Sequence, residues 1–322
     1  MGENFLKIVK SVVIGHAVAD ALGVPVEFKT RKQLSINPVT KMLGYGTYNV
    51  PKGSWSDDTS MSICALKELT QSKIDFDKIM LNFTKWSYSG EFTPTGKTFD
   101  IGNTCSRAID NYFLGKKSYT ECGLSDPSSN GNGSLMRIYP FVLYTYNMPT
   151  NVRTKIEIIE MASALTHAHE RSKIACGIYA FLLWEIISTV DKSNLIDIVK
   201  NGLTKARDYY FNRYETKHYE KLFYSIADIN NEGNITDISE IKSSGYVVDS
   251  IEAAVWCLIN TSSYSECVLK AVNLGEDTDT VGAIAGSLAG AVYGYDDIPR
   301  EWLNDLIKRD YLENLCENLY IF

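Results

Sequence analysis

Glycine recurs at every fourth position in one apolar segment of the chain, at Gly282, Gly286 and Gly290. Residues four apart lie one above the other on a helix, so the three glycines form a single stripe. Each glycine inside a helix costs about 1 kcal/mol relative to alanine, and three in one stripe need a compensating contact. The pattern therefore predicts a central helix over 280–293, packed very closely against a second helix.

Apolar residues recur at helical spacing through most of the remaining chain, and no segment shows the alternation typical of a strand. Stretches 29–54, 90–103 and 121–134 are rich in glycine, proline and polar residues and are predicted to be loops. Stretch 191–244 is the most polar and is interpreted as helices with exposed faces around a loop near 230–236. No linker divides the chain, so we expect one all-helical domain, 1–322. The other predicted helices are 5–21, 60–69, 74–88, 104–113, 153–168, 171–190, 248–260 and 264–273.

Two acidic clusters precede apolar helices, Ser56-Asp57-Asp58-Thr59 and Asp277-Thr278-Asp279-Thr280. Helix capping explains one acid or hydroxyl at such a position. It does not explain why each of the two clusters combines two carboxylates with a hydroxyl. A divalent cation removes the repulsion between neighbouring carboxylates. Oxygen ligands without histidine or cysteine favour Mg²⁺, Mn²⁺ or Ca²⁺ over zinc. The two clusters therefore predict a shared site for hard cations.

A glycine-rich turn, residues 129–134, precedes a further apolar segment. If it leads into a helix, its free backbone N–H groups suit a phosphate, although most turns of this composition are only turns. It matches neither a P-loop nor a dinucleotide fingerprint. His167 and His169 are two apart on a predicted helix, so their side chains diverge and are not expected to chelate one ion.

Three isolated acids remain. Glu27 and Asp100 lie in predicted loops, where each is either a solvated acid or a cap; for Asp100 the alternative is capping of the helix near 104. Asp20 lies inside an apolar helix and is predicted to make a buried hydrogen bond.

The net charge of −7 argues against a general nucleic-acid binder. The seven cysteines are widely spaced without a C-x-x-C pair, which favours buried reduced thiols and a cytoplasmic location. The first residues lack the features of a signal peptide, and no apolar stretch is long enough to span a bilayer. We expect no nucleic-acid or membrane partner, and a monomer.

These motifs together resemble the ADP-ribosylglycohydrolases, the family of the ADP-ribosylhydrolases and of dinitrogenase-reductase-activating glycohydrolase. The paired S/T-D-D-T and D-x-D-T signature with the intervening glycine-rich loop is more specific than any single motif. The matching segments, in the family's order, are GHAVADALGVPVEF (15–28), GSWSDDTSM (53–61), DIGNT (100–104), NGNGSLMRIYP (130–140), THAHERS (166–172) and NLGEDTDTVGAIAGSLAGAVYG (273–294).

The resemblance implies a compact orthogonal helical bundle with a dinuclear Mg²⁺ or Mn²⁺ site in a central cleft. It implies metal-dependent hydrolysis of the N- or O-glycosidic bond that links ADP-ribose to an acceptor, with arginine weakly favoured, on a modified protein or a small molecule. The implied metal ligands are Ser56, Asp57, Asp58, Asp277, Asp279 and Thr280, with serine where the family usually has threonine. The implied diphosphate and substrate contacts are Gly131, Asn132, Gly133, Ser134 and His167.

Asp100 and Glu27 match family acids and are expected to transfer protons during cleavage. Asn130 stands where the family often has an aromatic residue that stacks on adenine. Two alternatives stay open at this stage: an ADP-ribose-binding or crystallin-like protein with little catalysis, and a metal-dependent phosphoesterase that cleaves a nucleotide.

Overall fold

The computed structural model describes residues 2–227 and 237–322, and within these ranges it contains no strand, only isolated bridges between extended residues. The predicted all-helical class is confirmed for this part of the chain. Its helices are α1 Gly2–Gly23, α2 Arg31–Ile36, α3 Asp57–Leu66, α4 Phe76–Ser89, α5 Asn103–Phe113, α6 Tyr119–Cys122, α7 Tyr139–Tyr146, α8 Val152–Ala164, α9 Glu170–Ser188, α10 Leu195–Tyr210, α11 Glu220–Ala227, α12 Val247–Ile259, α13 Tyr264–Val272, α14 Thr278–Tyr293, α15 Arg300–Asp305 and α16 Arg309–Glu317.

The glycine stripe of α14 packs directly against α1, as predicted. A Cβ atom added to Gly286 would lie 2.4 Å from Cβ of Ala19 and 2.6 Å from the carbonyl oxygen of Gly15. A Cβ atom added to Gly290 would lie 2.2 Å from the carbonyl oxygen of Ser11. Real Cβ atoms do not approach other atoms this closely, so only glycine allows the two backbones to meet at this separation. The α1–α14 pair forms the centre of the core, and α9, α12 and α13 also pack on α14.

The beginning of α3 and the beginning of α14 both lie beside the C-terminal end of α1. Asp20 on α1 accepts hydrogen bonds from the backbone N–H of Ser56 (2.9 Å) and from the hydroxyl of Thr59 (2.6 Å), which confirms its predicted buried hydrogen bonding. At the other junction a Cβ atom on Gly23 would lie 2.3 Å from Cα of Asp279. The two acidic clusters are therefore held together by the same end of one helix.

The structure corrects two sequence-based expectations and does not test a third. The predicted loop 29–54 contains the short helix α2, which begins with a capping box between Thr30 and Gln33. Its six residues are too few to show a helical period. His167 and His169 do not share a helix, because the chain between α8 and α9 pairs with Leu124 and His169 caps α9. The loop expected near 230–236 lies outside the described residues.

Within the same ranges, no helix has the length and the apolar character that crossing a bilayer requires. All seven cysteines are buried and unpaired, as the sequence predicts.

Candidate active site

The first turns of α3 and α14 meet, and their acidic clusters share hydrogen bonds. Oδ2 of Asp58 accepts one from the hydroxyl of Ser56 (3.1 Å) and one from the hydroxyl of Thr280 (3.1 Å). Ser56 also caps α3 by accepting from the backbone N–H of Asp58, while Asp277 stands at the N-cap of α14 without a capping side-chain bond. Capping therefore does not account for the carboxylates of Asp57, Asp58 and Asp277.

Glu27 and Asp100 join this group from two separate loops. Glu27, Asp100 and Asp279 each offer one carboxylate oxygen, and these three oxygens lie within 4.8 Å of one another. The loop of Glu27 is fixed by reciprocal backbone bonds, since the Phe28 N–H donates to Glu276 (2.7 Å) and the Glu276 N–H donates back to the loop at Lys29 (2.7 Å).

Asp100 has a backbone φ of +53°, a left-handed conformation that few residues other than glycine and asparagine adopt. It does not cap α5, because Gly102 holds the N-cap position of that helix and no side chain caps it there. The capping alternative for Asp100 is therefore wrong.

Burial shifts the acids of this cluster toward their protonated forms. It raises the pKa of Asp57, Asp58 and Asp279 well above the usual range, and neighbouring carboxylates add to the effect. Burial and the charge of Asp100 raise the pKa of Glu27 to about 9. Burial also raises the pKa of Asp277, against an opposing hydrogen bond from Asn132. A cation that binds these acids would compete with protons for them.

Several oxygen atoms of the cluster are buried without a hydrogen bond from the described part of the chain. They are Oδ1 of Asp58, Oδ2 of Asp279 and Oε2 of Glu27. Buried polar atoms are nearly always bonded, and an unpaired carboxylate oxygen away from water is costly. A cation with oxygen ligands satisfies such atoms, so the residues present fit a hard divalent ion.

The acids line a pocket of about 500 Å³ that also contains the glycine-rich turn. Ser56, Asp58, Asp279 and Ser134 lie behind the pocket wall, and the Ser134 hydroxyl is buried against the hydroxyl of Ser163 (2.9 Å). The predicted site residues in the wall are Glu27, Asp57, Asp100, Gly131, Asn132, Gly133, His167, Asp277 and Thr280.

The glycine-rich turn is tied to the acidic cluster. The side-chain amide of Asn132 donates to Oδ2 of Asp277 (2.8 Å), and the Asn132 backbone N–H donates to Gly245 (3.0 Å). Contrary to the expectation from the sequence, the turn does not lead directly into a helix, because α7 begins only at Tyr139. The backbone amides of the other glycines in the turn, and of Ser134, have no acceptor among the described residues.

His167 lies on the same wall as the turn, against its glycines. A Cβ atom on Gly131 would lie 3.7 Å from Nε2 of His167, and one on Gly133 would lie 3.0 Å from its Cε1. Burial, with a contribution from Arg137, lowers the pKa of His167 to about 3, so the ring is neutral. Glycine at position 133 leaves the space that the imidazole edge occupies, whereas a Cβ atom at position 131 would only touch the ring.

Sequence reasoning missed several residues of the pocket wall. Phe28 and Ile101 directly follow Glu27 and Asp100, the two acids predicted for the site. This adjacency is the only indication in the sequence that they line the pocket. Met136 and Gly245 carried no comparable signal. Asn130 does not stack on a ligand, because its side chain bonds the carbonyl of Pro127 and the hydroxyl of Ser172.

Comparisons with known proteins identify the family of the chain. Residues 1–321 match the family model described as ADP-ribosylglycohydrolase. The chain is 31% identical to the ADP-ribosylarginine hydrolase Tri1 of Serratia proteamaculans, over 97% of this chain and 78% of that protein. It is 30% identical to the ADP-ribosyl-[dinitrogen reductase] glycohydrolase of Rhodospirillum rubrum, over 91% of this chain and 88% of that protein. A solved structure titled ADP-ribosylglycohydrolase-related protein complex superposes with a TM-score of 0.78 at 28% identity, covering 99% of this chain and 98% of the other.

Proposed function

The chain belongs to the ADP-ribosylglycohydrolase family, a family of glycosidic hydrolases, and we propose that it releases ADP-ribose from ADP-ribosylated arginine with the help of divalent cations. One observation carries the metal dependence: two acidic helix starts converge beside a pocket of about 500 Å³ and leave buried carboxylate oxygens that have no partner in the described part of the chain. A cation-binding role explains both the clustering and the unpaired atoms.

The residues that would hold the cations are Ser56, Asp57, Asp58, Asp277, Asp279 and Thr280, and we propose two Mg²⁺ or Mn²⁺ ions. When bound, the ions would neutralise the acidic cluster and hold the ribose diol and a water in place. The hydrogen bonds of Asp58 to both hydroxyl residues pre-arrange oxygen ligands from two distant parts of the chain.

The glycine-rich turn is proposed to bind the diphosphate. The amides of Gly131, Gly133 and Ser134 are not used by described acceptors, and such amides suit anionic oxygens. The side chain of Asn132 is instead committed to Asp277, so it positions the turn. His167 supplies a further polar edge on the same wall.

Asp100 and Glu27 are proposed to carry the proton transfers of glycosidic cleavage. Both face the pocket, and each offers an oxygen close to Asp279. Asp100 is the more exposed of the two, which suits an acid that must reach water. Glu27 is buried and carries the raised pKa, which suits an acid that exchanges a proton with the leaving group.

The preference for an arginine acceptor is supported by aromatic rings beside the acids. Phe28 is 67% exposed and lines the pocket next to Glu27. Its ring centroid lies 6.4 Å from that of Tyr48, which in turn lies 5.0 Å from that of Phe99. A guanidinium group stacks well on aromatic faces and is attracted by carboxylates.

A panel of peptides ADP-ribosylated on arginine, serine or threonine tests the proposal. With Mg²⁺ or Mn²⁺, we expect free ADP-ribose from the arginine peptide and little from the others, detected by mass spectrometry. Formation of AMP would indicate a phosphoesterase instead. Tight ADP-ribose binding without release from any acceptor would identify a binding protein and contradict the proposal.

A further inference from the structure

Arg137 is a fully buried cation without an acidic partner. Its side chain is 0% exposed, and no carboxylate in residues 2–227 or 237–322 pairs with it. The guanidinium lies 4.8 Å from the ring centre of Phe83 and donates to the carbonyl of Ala162 (3.2 Å). Burying an unpaired charge is costly, so a structural role alone leaves this arrangement unexplained.

The remaining hydrogen bond of Arg137 leads to the pocket. Its Nη2 donates to Oγ1 of Thr166 at 2.7 Å, and Oγ1 lies 2.9 Å from Nδ1 of His167. An arginine has only donors, so the Thr166 oxygen must accept from it. The Thr166 hydroxyl proton is then available for Nδ1, which accepts it when the ring proton lies on Nε2.

We propose that Arg137 and Thr166 fix His167 in the tautomer with its proton on Nε2, so that the pocket presents a constant neutral donor to the diphosphate of the substrate. The inference rests on the proposed function for the identity of the ligand. The Nε2 edge faces the glycine-rich turn, since it lies near the Cβ positions of Gly131 and Gly133. No described protein group accepts a hydrogen bond from Nε2.

The opposite tautomer is disfavoured on two counts. A proton on Nδ1 would place the positive end of an N–H dipole on the side of the neutral ring where Thr166 already accepts from the Arg137 cation, which is electrostatically unfavourable. The Thr166 hydroxyl would then have to accept two bonds, and the sulfur of Cys105, a weak acceptor, would have to take its proton. The Cys105 thiol itself is directed at the carbonyl of Gly133 (3.8 Å).

Arg137 and Thr166 are thus positioning residues, because neither touches the pocket directly. Burial lowers the pKa of His167 to about 3, which keeps the ring neutral at working pH. A neutral ring can carry its proton on either nitrogen, and only the hydrogen-bond chain selects one. The buried guanidinium of Arg137 therefore determines which nitrogen of the imidazole donates a hydrogen bond.

Nitrogen NMR of protein labelled in its four histidines measures the tautomer directly. We expect Nδ1 of His167 to be unprotonated and Nε2 to be protonated between about pH 5.5 and 8, without titration. His167→Asn identifies the signal. Cys105→Ala removes the competing sulfur and should leave the tautomer unchanged. A proton on Nδ1 in the unmodified protein would overturn the inference.

Thr166→Val removes the hydroxyl and keeps the shape, and Thr166→Ser restores the hydroxyl. We expect Thr166→Val to give mixed tautomers and to weaken ADP-ribose binding about 10-fold by calorimetry, and Thr166→Ser to recover both. Thr145→Val is the matched control, because Thr145 is equally buried and its hydroxyl bonds only the backbone of α7.

The outcomes separate this inference from the proposed function. A protein that shows the Nε2 proton but binds no ADP-ribose would contradict the proposed ligand and leave the tautomer assignment standing. Retention of a single Nε2 tautomer in Thr166→Val would contradict the relay even in an active enzyme. If Thr166→Val does not fold, the tautomer of the unmodified protein and of Thr166→Ser decides the question.

Discussion

The hydroxyl of Thr280 donates to Oδ2 of Asp58 across the junction between α14 and α3, at 3.1 Å. The other oxygen of the same carboxylate is buried and has no partner among the described residues. Asp58 therefore connects the two acidic clusters with one oxygen and keeps the second available. This division is what a ligand shared between two segments requires, and it makes Asp58 the first position to test.

Asp58→Asn keeps the shape of the side chain but removes its charge. We expect hydrolysis of ADP-ribosyl-arginine to fall at least about 100-fold, and the rise in Tm on adding MgCl₂ or MnCl₂ to disappear. Asp126→Asn, at an exposed loop acid, is the control. Full activity of Asp58→Asn after dialysis against EDTA would rule out the metal assignment.

The metal-free protein should become less stable as the pH rises. The folded protein holds a proton on Glu27 up to a pKa of about 9, whereas the unfolded chain releases it near pH 4.5, so this contribution to stability is lost across that window. The raised pKa values of Asp58 and Asp279 act in the same direction.

Urea unfolding in EDTA at pH 5.5, 7 and 8.5 measures this trend. Each such carboxyl contributes up to about 1.4 kcal/mol per pH unit. With saturating Mg²⁺ the stabilisation should instead grow with pH, because protons no longer compete with the ion. Stability of the metal-free protein that increases over this range would be inconsistent with protonated acids in the cluster.

Asp100→Asn should slow turnover far more than it weakens ligand binding. The loss of a proton-transfer group predicts a kcat lower by about 10²- to 10⁴-fold, with the Kd for ADP-ribose little changed. Asp110→Asn on α5 is the control, since its carboxylate bonds the exposed Tyr88 hydroxyl. Recovery of activity at high Mg²⁺ would show that Asp100 acts as a ligand rather than as a base.

Phe28→Leu removes the aromatic face at the pocket mouth and keeps an apolar side chain. We expect KM for an arginine-linked substrate to rise about 2- to 5-fold, the size of an exposed cation–π contact, with little effect on a serine-linked one. Tyr45→Leu changes an aromatic residue of similar exposure outside the pocket wall and serves as control. Equal effects on both substrates would argue against an arginine contact.

Gly286→Ala should separate α1 from α14. The added Cβ would meet Ala19 and the backbone of Gly15, both within 2.6 Å. We expect a loss of about 1–3 kcal/mol or more in the free energy of unfolding, measured in urea. Gly102→Ala is the control for an added Cβ, because no described atom lies within 4 Å of its Cβ position and its φ is negative. It should cost only about 1 kcal/mol or less, the effect of replacing an N-cap glycine. If Gly286→Ala left the free energy of unfolding unchanged, the two helices would be able to move apart at little cost.

The central features of the fold could be predicted because they depend on residues close in sequence. Helical spacing of apolar residues located most helices to within a few positions, and the glycine stripe predicted the close contact of α14 with α1. The short helix α2 was missed because its capping box, not its periodicity, defines it. The single-domain extent, 1–322, stays a prediction.

The candidate site was only partly accessible from sequence. The acidic clusters stood out because adjacent carboxylates are unusual, and the structure brings both to the same end of α1. The hydrogen-bonded link from Arg137 through Thr166 to His167 joins different segments of the chain. The residues beside an arginine in the sequence do not indicate whether it is buried without an acidic partner. The predicted catalytic, substrate-binding and metal-ligating roles remain proposals.

The junction at Gly23, where the end of α1 meets the start of α14, also constrains when the protein can become active during synthesis. A ribosome that has made Asp58 must add 222 more residues before Thr280 exists to bond it. Until then the early acids Asp57 and Asp58 have no partner cluster. Under the proposed assignment, a nascent chain that ends before α14 lacks Asp277, Asp279 and Thr280, half of the cation ligands.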